Sequence, residues 1–210
     1  MIAKTFSSDG ALGKAIPGFQ ARQPQIDMAE AVSSAIKDQT QLVVEAGTGT
    51  GKTFAYLVPA LLSGKKVIIS TGSKNLQEQL YHRDLPLMVN ALGFYGQVAL
   101  LKGRSNYLCL DRLSRQMVES HTNESDPTLL TQLVKVRTWS SETKIGDLGD
   151  CDDLPEDSMI IPTITSTNDN CLGKECPSYT DCFVLKARKR AMDSDIVVVN
   201  HHLFLADLAI

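Results

Sequence analysis

Glu45-Ala46-Gly47-Thr48-Gly49-Thr50-Gly51-Lys52-Thr53 lies between a short apolar run, Leu42-Val43-Val44, and a segment of helical character, Phe54 to Leu62. A strand, a glycine-rich turn and a new helix together form a setting that can cradle phosphates. Gly47, Gly49 and Gly51 permit positive φ and close backbone approach, so several N–H groups can face one anion. The start of the helix adds partial positive charge. In that arrangement Lys52 reaches the β- and γ-phosphates of a nucleotide and the Thr53 hydroxyl holds Mg²⁺. The first position of the loop is Ala46, where the general pattern has glycine.

Beyond the loop, Leu42–Val44, the helix and then Lys66-Val67-Ile68-Ile69-Ser70 read as one βαβ unit. Gly64 ends the helix, and the second strand is continuously apolar, as a buried parallel strand is. Pro59 within the helical stretch is expected to kink it or end it early. Val98 to Leu101 and Ile196 to Val199 are further strand candidates. Residues 1–18 read as an extended lead-in, followed by an amphipathic helix from Ile26 to Ile36. Ahead of that helix stand Phe19, Arg22 and Gln25. The Gln25 amide can read an adenine edge, because it offers donor and acceptor together; equally, it can be a polar residue at a helix start. Ser73 can cap a helix carrying Leu76 and Leu80, and the 71–79 loop follows a parallel strand at the end where open α/β sheets bind ligands.

The chain has 210 residues, 43% of them hydrophobic, enough for a sizeable core and an inserted subdomain. Net charge is −3, so any contact with nucleic acid must come from local basic patches. No apolar run approaches the roughly 18–20 residues that span a bilayer, and the N-terminus lacks a signal-peptide core. These features point to a soluble, cytoplasmic protein without a membrane partner.

Between about 104 and 193 the character changes. Residues 108–119 and 126–139 read as helices, and the acidic stretch Asp147 to Asp157 as a solvated loop. Cys171-x4-Cys176-x5-Cys182 gathers three of the five cysteines. With a fourth, such thiolates can bind an iron–sulfur cluster or zinc; the spacing differs from the CxxC of common zinc knuckles and favours iron–sulfur. The fourth ligand is expected to be Cys109, flanked by Lys102, Arg104 and Arg112, rather than Cys151 among Asp147, Asp150, Asp152 and Asp153, because thiolates form in positive surroundings. Lys174 and Lys186 would help to offset the charge of such a cluster.

Taken together, these stretches resemble the XPD/DinG branch of superfamily 2 helicases, and within it the bacterial YoaA-type DinG-family members. Residues 45–53 resemble motif I; Phe19, Arg22 and Gln25 resemble the adenine-reading segment; Ser70 to Ser73 with Leu76 to Leu80 resemble motif Ia, which contacts single-stranded DNA. Gly103 to Cys109 and the later cysteines resemble the [4Fe–4S] domain, and Val199-Asn200-His201-His202-Leu203-Phe204 the strand end that precedes motif II. The Asp-Glu-Ala-His of motif II is absent, as is the second motor domain with its arginine finger. The chain therefore reads as the N-terminal part of a longer helicase, with negligible ATP turnover by itself.

The resemblance implies an α/β fold: a RecA-like P-loop NTPase motor domain with a parallel sheet flanked by helices, formed by residues 1–103 and 194–210. Residues 104–193 would be an inserted, mainly helical iron–sulfur subdomain. ATP would lie against Phe19, Arg22, Gln25 and Ala46, Gly47, Thr48, Gly49, Thr50, Gly51, Lys52 and Thr53, with Lys52 and Thr53 serving catalysis. Cys109, Cys171, Cys176 and Cys182 would hold the cluster. Single-stranded and forked DNA would meet Ser73, Lys74, Arg104, Tyr107, Lys186, Arg188, Lys189 and Arg190, with Tyr107 stacking on a base. The whole protein would be an ATP-dependent DNA helicase moving 5′ to 3′ in repair or replication, with a protein partner from one of those processes. A nucleotide-binding iron–sulfur redox sensor or interaction module that unwinds nothing is the alternative.

Overall fold

The computed structural model describes residues 2–122 and 126–208. They form two compact units, Met1–Leu100 with Asp193–Ile210, and Leu101–Met192.

The first unit is α/β. Its sheet is parallel, with β1 (Val67–Thr71) and β2 (Val98–Leu100) on either side of the central β3 (Ile196–Asn200). Val67 pairs with Ile196 and Thr71 with Asn200, while Val98 also faces Ile196. A central strand has neighbours along both edges and layers over both faces, which is why Ile196, Val197, Val198 and Val199 can all be apolar and buried. Asp195 fixes the entry to β3: its carboxylate accepts from the Gln97 N–H at 2.7 Å, and its own N–H donates to the Gln97 carbonyl at 2.9 Å.

Helices α3 (Gln23–Asp38), α4 (Lys52–Leu62) and α6 (Leu85–Leu92) pack together, α4 against both others. They bring Ala29, Leu57, Val58, Leu61, Leu85 and Met88 against Ile196 and Val198. The segment 1–18, expected to be extended, instead forms α1 (Ile2–Phe6) and α2 (Ala11–Ala15). Phe6 and Leu12 sit in the core, so burial outweighs the helix-weakening glycines around them. Pro59 does not end α4 early: the helix continues to Leu62, with Pro59 itself buried. Only one turn follows the proline, and Leu57, Val58, Ala60 and Leu61 hold that turn against the core. α5 (Lys74–Gln79) leads through a π-helical turn, Leu80–Asp84, into α6.

Leu42–Val44 is not a strand. The segment has no ladder partner among the described residues, and Val43 is 97% exposed. An apolar run becomes a strand only where a neighbouring chain supplies N–H and C=O groups, and the sheet of β1, β3 and β2 does not extend to it.

The second unit is built on α7 (Leu110–Thr122), α8 (Pro127–Glu142), the short α9 (Ile161–Ile164) and α10 (Phe183–Asp193). Its core joins Tyr107, Leu108, Leu113, Leu133, Val136, Ile160, Ile164, Phe183 and Ala187. Three backbone links close it: a Tyr107–Asp147 antiparallel bridge, Leu108 N–H to the Gly146 carbonyl at 2.9 Å, and Cys109 N–H to the Ile164 carbonyl at 2.8 Å. The buried Asp147 carboxylate is paired with Lys102 at 2.5 Å. Gly146 has φ +70°, and a Cβ there would lie 2.2 Å from the Phe183 ring. Gly146→Ala thus combines left-handed strain with overpacking. It is expected to destabilise this unit by roughly 3 kcal/mol, read as a lower urea midpoint; an unchanged midpoint would contradict this packing.

Candidate functional site

The turn 45–53 opens α4 as the sequence pattern requires. Gly51 caps the helix in the left-handed region at φ +80°, Gly49 has φ +76°, and Lys52 and Thr53 are the first helical residues. The Lys52 ammonium folds over the loop and donates to the carbonyls of Ala46 and Gly47 at 2.7 and 2.6 Å. The Thr50 hydroxyl donates to the Gly47 carbonyl at 2.9 Å. Thr53 is hydrogen-bonded to the hydroxyl of Tyr56, whose pKa burial pushes up, while the Thr53 bond pulls it back.

The N-cap residue of α3, Arg22, and Gln25 in its first turn brace this loop. Arg22 Nη1 donates to the Gly49 carbonyl at 2.7 Å and Gln25 Nε2 to the Gly51 carbonyl at 3.0 Å. Gln25 is only 5% exposed. Gln25 is a polar residue at the start of α3, as one of the two readings has it, and its amide N–H holds the loop. Phe19 lies between Phe6 and Phe54, ring centroids 6.4 and 6.3 Å away, and so anchors the 19–25 segment to the start of α4. Phe54 was silent in the sequence; only its place two residues after the lysine could have marked it.

In the second unit Cys109, Cys171, Cys176 and Cys182 line one cavity of ≈180 Å³, with Arg104, Arg112 and Arg188 also in its wall. Cys151 is apart from it, 3% exposed within the apolar core. Among the described residues, no three His, Cys, Asp or Glu side chains converge on a single-ion site. The charge argument for Cys109 over Cys151 is corrected here. Burial is the main influence on both thiols and pushes both pKa values up. Lys102 pairs with Asp147, and Lys186 with Asp181 at 2.9 Å. The distinction between the two cysteines rests on the cavity, not on their pKa values.

The other candidates separate. Ser73 accepts from the Leu76 N–H at 3.2 Å and caps α5, leaving Lys74 exposed beside it. Tyr107 is 2% exposed, and its hydroxyl accepts from the Lys102 N–H at 3.1 Å. No face of its ring is open, so the expected stacking on a base is withdrawn. Arg104 donates to the Thr167 carbonyl at 3.4 Å, and with Arg188 it faces the thiol cavity. Lys189 and Arg190 are on the exposed side of α10.

A Cβ on Gly51 would lie 2.1 Å from Gln25 Nε2, so Gly51→Ala must displace the brace as well as strain the backbone. We expect it to weaken binding of a fluorescent ATP analogue by at least about tenfold, while the melting temperature falls by only a few degrees. Unchanged nucleotide affinity would show that the brace does not shape the loop.

The DEAD/DEAH box helicase family matches residues 26–124. The ATP-dependent DNA helicase YoaA of Escherichia coli is 60% identical over 205 residues, covering 98% of this chain and 32% of that protein. YoaA of Haemophilus influenzae is 56% identical over 209 residues, 100% of this chain and 32% of that protein. The ATP-dependent helicase DinG of Mycobacterium tuberculosis is 39% identical over 217 residues, 94% of this chain and 32% of that protein. The chain thus spans about a third of the length of these curated relatives. No described helix is long and apolar enough to cross a membrane. On the phosphate loop and these identities together, the chain is similar over nearly its whole length to the helicases YoaA and DinG.

Proposed function

We propose that this chain is the nucleotide-binding first part of an ATP-dependent DNA helicase that moves 5′ to 3′ on single-stranded DNA and acts in repair or replication. The observation that carries the reading is the braced phosphate loop opening α4, with Lys52 and Thr53 at its start. Backbone N–H groups at that helix start favour the β- and γ-phosphates. Lys52, now held on two carbonyls, supplies a compact positive charge to them, and Thr53 is the Mg²⁺ ligand. Lys74 and the exposed cations of α10 would follow DNA phosphates.

The thiol cavity fits a [4Fe–4S] cluster held by Cys109, Cys171, Cys176 and Cys182. Four thiols around a common space suit a bulky group better than one small ion, and Arg104, Arg112 and Arg188 in the wall oppose its negative charge. The cluster would cross-link residues 104–193, so its binding is linked to the folding of that region. The same cavity suits the alternative, a redox sensor that unwinds nothing; ATP hydrolysis stimulated by single-stranded DNA separates the two.

In the full-length protein, Lys52→Ala is expected to lower DNA-stimulated ATP hydrolysis by about 10²-fold or more and to abolish unwinding. Absence of DNA stimulation in the unsubstituted protein would sink the helicase reading. Protein purified without oxygen is expected to be brown and to contain iron. Serine at position 109, 171, 176 or 182 removes the colour and exposes 104–193 to protease, whereas Cys151→Ser retains colour and resistance. Zinc at one equivalent in place of iron would overturn the cluster assignment.

A further inference from the structure

The carboxyl ends of β1 and β3 lie side by side, Ser70 opposite Val199 and Thr71 opposite Asn200. At that edge two loops are tied together. Ser70 Oγ is 2.7 Å from His201 Nδ1. The Thr71 hydroxyl donates to the carbonyls of Ser73 and Val199 at 3.2 and 3.4 Å. Asn200 Oδ1 accepts from the Leu203 N–H at 2.8 Å and sets the start of α11 (His201–Leu208). The His201 ring lies against Gly72: its Cδ2 and Nε2 are each 3.7 Å from where a Cβ on Gly72 would sit. Gly72, Ser73, Lys74, His201 and His202 are all exposed. No carboxylate occurs in 70–75 or 199–204.

The geometry points to His201 as a further contact for a nucleic-acid phosphate, held in position by Ser70. With Ser70 O–H donating to Nδ1, the ring proton sits on Nε2, beside a glycine that offers no side chain to screen it. Lys74 on the neighbouring loop supplies charge, and His201 supplies a directed N–H donor. The ends of parallel strands are where open α/β sheets bind their ligands, and an edge with hydroxyls, a lysine, two imidazoles and no acid suits a phosphodiester backbone. The inference rests on the reading of the 71–75 loop as part of the single-strand surface.

The test is anisotropy of a labelled oligo-dT with the full-length protein across a salt series. His201→Phe is expected to weaken binding about tenfold. It should leave the slope of log affinity against log salt unchanged, since the proposed contact is a directed hydrogen bond and not a counterion-releasing charge. His201→Gln, which places an N–H donor close to the Nε2 position, restores most of the affinity. Ser70→Ala, which frees the ring, gives a smaller loss of about threefold, and binding of a fluorescent ATP analogue is unchanged in all three. Lys74→Ala, in contrast, reduces the slope by about 0.7. Unchanged affinity in His201→Phe, or a His201→Gln variant as weak as His201→Phe, overturns the inference. If Lys74→Ala still lowers affinity and slope, the single-strand reading of the loop survives that result; if it does not, that reading falls too.

Discussion

The hydrogen bond from the buried Gln25 amide to the Gly51 carbonyl is the constraint on which the nucleotide site depends. Gly51 must be left-handed for the chain to turn from the loop into α4, and that conformation leaves its carbonyl facing α3. The Gly51 carbonyl accepts the first bond of α4 from the Ala55 N–H at 3.2 Å, and the Gln25 amide is its second donor, while Arg22 donates to the Gly49 carbonyl. The loop is thereby held from behind by side chains, which leaves its inner face of N–H groups and the Lys52 ammonium for an anion. The ring series Phe6, Phe19 and Phe54 keeps the bracing segment in place from the apolar side.

Much of this was legible in the sequence, because glycine spacing and the Lys-Thr pair act through local backbone geometry. What was not legible depended on partners far along the chain. Leu42–Val44 has the composition of a buried strand, yet pairing is a property of two segments, and the described sheet offers it no edge. The first eighteen residues have weak local helix signals, but Phe6 and Leu12 find a core between α3 and α6, and burial decides. Tyr107 illustrates the same limit on the functional side. An aromatic between an arginine and a cysteine reads as a stacking platform, but its hydroxyl has a backbone N–H to meet and its ring a core to fill.

Of the three cations near Cys109 in the sequence, Arg104 and Arg112 line the thiol cavity and Lys102 does not. Lys102 reaches Asp147, where both are nearly buried and neither can be left unpaired cheaply. Arg188, distant in sequence, joins Arg104 and Arg112 in the wall of the thiol cavity. Burial raises the pKa of both thiols, Cys109 and Cys151.

Within the first unit, Asp84 makes a buried polar junction between the end of α5 and the start of α6. Asp84, 6% exposed, accepts from Gln79 Nε2 at 3.2 Å and from Arg83 Nε at 2.9 Å. Its charge also raises the pKa of Tyr56, the residue hydrogen-bonded to Thr53. Leu80 and Asp84, four residues apart in the π-helical turn, both face inward at the joint between α5 and α6. A carboxylate so placed cannot lose a partner without a cost of several kcal/mol. The end of α5, whose beginning Ser73 caps, is therefore tied to the start of α6 through the same buried charge.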